Sequence, residues 1–106
     1  MSFARMPGIE LLVLEVTDNK SRQRFETIVN GKPAFVNYAI ANGRLELIHT
    51  FVAHDLRGRG VGGALVRSVL DIARARRLKI VPKCEFVQKY LSRNPEFADV
   101  VAEGRE

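Results

Sequence analysis

Apolar and polar positions alternate through the first half of the chain, and the period changes near residue 60. Ile9 to Val16 reads as a strand, followed by a polar turn at Thr17-Asp18-Asn19-Lys20-Ser21. Gln23 to Val29 is a second strand, with Phe25, Thr27 and Val29 on one side. Asn30-Gly31 and Asn42-Gly43 are strong two-residue hairpin signals, because both turn positions tolerate positive φ. They bracket a strand from Pro33 to Ala41 and lead into another from Arg44 to Val52. Two such turns in succession predict an antiparallel meander, with the first strand beside it.

Past residue 60, Val61, Leu65, Val69 and Ile72 recur at helical spacing, which predicts a helix from about Gly60 to Arg76. Its basic last turn suits the negative end of the helix dipole. Leu78 to Pro82 reads as a short strand and Glu85 to Leu91 as a short helix. Asn94-Pro95 opens a last helical stretch, where the missing proline N–H costs nothing. The fold class is α/β of the α+β type: an antiparallel meander followed by α-β-α on a mixed sheet.

Composition narrows the class. A chain of 106 residues with 46% hydrophobic and 27% charged residues fits one packed domain, residues 1–106, with 1–8 as a loose tail. The longest apolar run, Leu11 to Leu14, is too short to span a bilayer. With no apolar leader segment visible, a soluble cytoplasmic protein without a membrane partner is expected. One cysteine, Cys84, excludes an internal disulfide, and with only His49 and His54 beside it no metal site is expected. The formal charge of +5 favours an anionic partner. Nucleic acid is not expected, since no helix-turn-helix, finger spacing or aromatic strand motif is present.

The phosphate-binding signal lies between the meander and the helix. Gly58, Gly60, Gly62 and Gly63 occupy four of six consecutive positions, more than a tight turn needs. Such a loop turns backbone N–H groups inward at a helix start and forms an anion site. Arg57 and Arg59 flank the glycines and can add charge-assisted contacts. A P-loop is excluded because no lysine follows the glycines. Gly58, Gly60 and Gly63 also match the dinucleotide fingerprint, but an antiparallel meander precedes them where that fold has a βαβ unit.

Arg57-Gly58-Arg59-Gly60-Val61-Gly62 resembles the Arg/Gln-x-x-Gly-x-Gly/Ala motif of the GNAT acetyltransferase superfamily. The likeness spans roughly Leu11 to Val101 and is strongest to a small single-domain group. It is carried further by His49-Thr50-Phe51-Val52, by Cys84, Phe86, Val87 and Tyr90 after Pro82, and by Asn94-Pro95. The resemblance implies acetyl-CoA as cofactor, an amine acceptor and transfer of an acetyl group; a non-catalytic CoA-binding module is the alternative. It implies that Arg57, Gly58, Arg59, Gly60, Val61, Gly62 and Gly63 hold the CoA pyrophosphate, and that backbone groups near Phe51 and Val52 meet its pantetheine arm. The chain is shorter than ordinary GNAT enzymes and is expected to lack their early helices, which leaves the acceptor site poorly defined.

Three residues are candidates for the chemistry. Cys84 follows the last strand, where it would be a nucleophile, a proton donor to the leaving thiolate, or a buried small side chain, with Lys83 near enough to lower its pKa. His49 is the candidate base, since imidazole titrates near neutrality; strand alternation puts it with Leu45, Leu47 and Phe51, and Glu46 on the opposite face. Tyr90 matches the position of a thiolate-protonating tyrosine in many GNAT enzymes, or else packs the core. Phe25, Phe35, Phe51 and Phe86 read as core.

Overall fold

The computed structural model describes residues 14–103. Five strands form one sheet in the order β1-β2-β3-β4-β5. They are β1 (Thr17–Asn19), β2 (Arg24–Val29), β3 (Lys32–Ala41), β4 (Arg44–Val52) and β5 (Lys79–Pro82). The first four are antiparallel neighbours, and β5 runs parallel to β4. A parallel pair needs a crossover, which helix α1 (Val61–Ala75) supplies. Helix α2 (Glu85–Arg93) and a 3-10 turn at Pro95–Val100 follow. This is the mixed sheet expected from the alternation and the two hairpin signals. In both hairpins the Asn and the Gly adopt positive φ, at 51° and 76° for Asn30-Gly31 and 56° and 72° for Asn42-Gly43.

The beginning differs from expectation. The predicted tail 1–8 and residues 9–13 of the predicted first strand lie outside the described residues, and Leu14 to Val16 carry no regular structure. Thr17–Asn19, expected in the turn, form a strand, and the turn lies at Lys20–Gln23. Long-range contacts override the local turn composition. Tyr38 donates its hydroxyl to Asp18 at 2.6 Å, and Arg76 reaches the other carboxylate oxygen at 2.9 Å. Burial, then the bond to Asp18, pushes the Tyr38 phenol up to about 12, so it remains a donor across the ordinary pH range.

The core lies between one face of the sheet and α1. Phe25, Ala34, Val36, Leu45, Leu47 and Ile80 meet Leu65, Val66, Val69, Leu70 and Ala73, all with 1% exposure or less. The helical apolar stripe and the strand alternation therefore converge on one layer. Phe97 and Val100 close its far end, and Arg74 straps that turn down through Asp99 and the Glu96 carbonyl. On the other face of β2 and β3 no residue is fully buried. Phe25 alone of the four phenylalanines expected in the core is fully enclosed; Phe35 and Phe51 stack on the second face at 5.0 Å, and Phe86 is 43% exposed.

Candidate functional site

The site begins where two strands part. The β4–β5 ladder runs from Arg44↔Lys79 to Leu47↔Pro82 and ends with the Lys83 amide bonded to the Leu47 carbonyl at 2.9 Å. Pro82 cannot donate to a further rung, and the chain turns into α2. Strand β4 continues to Val52 paired with β3 alone. A cleft of about 520 Å³ occupies the fork, lined by His49, Thr50, Phe51 and Val52 of β4, by Phe86 of α2, and by the loop into α1.

A β-bulge shapes the β4 wall. Asn37 pairs with His49, but the next residue, Tyr38, pairs with Leu47, so Ile48 is the extra residue. The bulge reverses the face of everything after it. His49 and Phe51, opposite Asn37 and Phe35, leave the face of Leu45 and Leu47 and join that of Glu46. Simple alternation, which grouped His49 and Phe51 with the core leucines, is corrected here: His49 is exposed at the cleft. Thr50 and Val52 turn to the helix side in their place.

The backbone of this half-strand is available too. The Ala53 amide bonds the Pro33 carbonyl at 3.0 Å, which fixes the hydrogen-bonded pairs of the ladder. By antiparallel alternation Thr50 and Val52 then direct their N–H and C=O groups away from β3, toward the fork. Arg57 takes up one of them, its Nε donating to the Val52 carbonyl at 3.0 Å.

Opposite lies the glycine loop. Gly58 and Gly60 have φ of 79° and 81°, a left-handed backbone that strains other residues. Gly60 is the residue before α1, and no side chain caps the helix. The first helical bond is made by the Ala64 amide to the Gly60 carbonyl, so the amides of Val61, Gly62 and Gly63 lack both a helical partner and a side-chain cap. A Cβ on Gly62 would stand 2.8 Å from Phe86 Cζ and 3.4 Å from Val52 Cγ2. Any Cβ here would push the Phe86 ring off the start of α1. Uncapped amides, two arginines and a cleft lined by strand backbone fit a diphosphate joined to an amide-bearing arm.

Of the residues singled out from sequence, His49, Phe51, Val52, Arg57, Gly58, Gly60, Val61, Gly62 and Gly63 share this cleft. Arg59 is exposed on the loop beside it. Cys84 lies behind the wall, 9% exposed at the start of α2, with Sγ 3.4 Å from Thr50 Oγ1. Burial pushes its thiol up, but the Thr50 hydroxyl and the backbone N–H groups of Val87, Phe86 and Thr50 outweigh this and hold it below the ordinary thiol range. Lys83 has no part in that, since it pairs with Glu46 at 3.5 Å. Tyr90 does not line the cleft; its ring lies against Gly63 and 6.2 Å from Phe97. Thr50 and Phe86 are site residues that sequence reasoning missed as such. No group of three potential metal ligands occurs among the described residues, and none of their helices is long and apolar enough to cross a membrane.

The stretch that builds the fork and the loop is also the stretch that is shared with other proteins. A sequence description of GCN5-related N-acetyltransferases matches residues 24–100. The chain belongs to this family. Protein NATD1 from Gallus gallus and from Homo sapiens are each 32% identical over 85 residues, 77% of this chain and 77% and 75% of theirs. A Staphylococcus aureus protein described as GCN5-like, solved by NMR, superposes with a TM-score of 0.66 at 28% identity, covering 88% of this chain and 92% of its own. The five-stranded mixed sheet is thus the family's fold, and the cleft sits inside the shared region.

Proposed function

We propose that this domain transfers an acetyl group from acetyl-CoA to a primary amine. The observation that carries the reading is the fork itself: freed strand backbone at Thr50 and Val52 leads directly to uncapped amides at Val61, Gly62 and Gly63. Those amides, with Arg57 and Arg59, hold the diphosphate; Thr50 and Val52 hold the pantetheine arm and align the reacting carbonyl. Acetyl-CoA supplies the activated acyl carbon and a thiolate leaving group. His49, exposed at the mouth, accepts the proton of the attacking amine. Thr50 lines the cleft and touches Cys84, so a proton passes from the Cys84 thiol through the Thr50 hydroxyl to the departing sulfur.

Steady-state acetyl transfer to a panel of amines tests this. His49→Gln is expected to lower kcat about a hundredfold with acetyl-CoA affinity kept. Cys84→Ala lowers kcat as well, and intact-mass measurement without amine separates its roles: a relay leaves the protein unmodified, whereas a nucleophile leaves an acetyl group on Cys84.

A second reading is a non-catalytic acyl-CoA-binding module. It draws on the direct passage from β1 to β2 through a tight turn, where no described helix walls an acceptor pocket. Tight cofactor binding with no turnover on any amine would favour it over transfer.

A further inference from the structure

The bond from Arg57 to Val52 has a consequence for which thioesters the cleft accepts. Val52 offers its carbonyl toward the fork because the β3 ladder does not use it. That carbonyl is an acceptor which an amide N–H of a pantetheine arm needs in order to lie along β4. In the structure the Arg57 guanidinium already occupies it at 3.0 Å. Arg57 is also the first residue of the glycine loop, with Gly58 and Gly60 next to it on the cleft wall. One exposed cation therefore has two alternative partners, the strand carbonyl and an anion at the loop.

We infer that Arg57 is a specificity residue that makes the cleft select full coenzyme A thioesters over thioesters lacking the diphosphate. The inference rests on the acyl-CoA reading given above. A pantetheine arm must displace Arg57 from the Val52 carbonyl before it can pair there. A diphosphate recovers the displaced guanidinium in a charge-assisted pair, so a CoA thioester exchanges one bond for a stronger one. A pantetheine thioester without phosphate breaks the Arg57 bond and returns nothing to it. The same side chain thus favours one ligand class and opposes the other. A residue that only attracted phosphate would leave the short ligand unaffected.

The test is a pair of titrations by isothermal calorimetry on the full chain, with acetyl-CoA and with S-acetylpantetheine, comparing the parent with Arg57→Met and Arg57→Lys. Methionine keeps an apolar stem of similar reach and removes the donor. Arg57→Met is expected to bind acetyl-CoA about tenfold more weakly and S-acetylpantetheine about threefold more tightly, because a charged donor to diphosphate is lost and a carbonyl is freed. Arg57→Lys keeps the cation but not the Nε donor; it should recover part of the acetyl-CoA affinity and keep the gain for S-acetylpantetheine. Circular dichroism confirms that each variant is folded. An affinity for S-acetylpantetheine that does not rise in either variant overturns the exchange, including the case where it falls in step with acetyl-CoA. If the parent itself binds no acetyl-CoA, the acyl-CoA reading falls and the inference with it. Parent binding with same-direction effects of Arg57→Met sinks the exchange alone.

Discussion

Between Arg44 and Leu47, β4 is paired on both edges, and Leu45 and Leu47 are sealed beneath α1. Between His49 and Val52 the same strand is paired on one edge, and none of its side chains is fully buried. The bulge at Ile48 separates the two halves. The first half spends its backbone and side chains on the fold. The second withholds both from the ladder, keeping main-chain donors and acceptors for a ligand while water, Arg57 and the Cys84 thiol take them up meanwhile. A binding strand is made here by terminating a neighbour early and adding one residue, with no special side chains required.

If the halves are separable in this way, substitutions in each should fail differently. Leu47→Ala, at a fully buried position, should lower folding stability by about 2–5 kcal/mol in urea titrations and leave acetyl-CoA affinity of the folded protein unchanged. Gly60→Asp should do the reverse. Aspartate tolerates the left-handed backbone better than most residues, but its charge opposes a diphosphate at the helix start. Affinity should drop by about 2 kcal/mol or more, roughly thirtyfold, with a smaller change in melting midpoint. Should Gly60→Asp unfold the protein while Leu47→Ala abolishes binding in the folded state, the division is wrong.

A subtler variant sharpens the boundary. Thr50→Val keeps the shape of the open half but removes the hydroxyl that holds the Cys84 thiol low. The pH midpoint for alkylation of Cys84 by iodoacetamide should move upward. In the parent, a thiol held low in the fold adds stability above the range of the free thiol and loses it as pH falls through the folded value. Thr50→Val should diminish that alkaline gain. The smallest effect is expected at the rim of the closed half. Glu46→Gln breaks the partly exposed pair with Lys83, worth up to about 1 kcal/mol, and should not alter acetyl-CoA affinity.

The same two halves mark how far the sequence could be read. The closed half, its hairpins and α1 follow from period and from Asn-Gly turns, which are local signals. The glycine loop is legible as well, since positive φ at Gly58 and Gly60 is a requirement written in residue type. The bulge is not. Nothing in Ile48-His49-Thr50 marks the extra residue, because its cause is the mismatch between β3 and β4 rather than any propensity. One inserted position then misplaced His49 and concealed Thr50. The turn expected at Thr17–Asn19 is a strand for a similar reason, as the partners that hold Asp18 lie 20 and 58 residues away. Phe86 was missed as a cleft residue because its partner is an absent side chain, that of Gly62.

The central claim is that one ligand bridges the open half of β4 and the start of α1. An amide NMR titration of nitrogen-labelled protein with CoA addresses it directly, since CoA lacks the transferable acetyl group. The amides of Thr50 and Val52 and those from Gly58 to Gly63 should shift together along one saturable curve, with those of Leu45 and Leu47 unmoved. Saturable binding that leaves the Gly58–Gly63 amides in place would contradict the account, as would the absence of any shift at millimolar CoA.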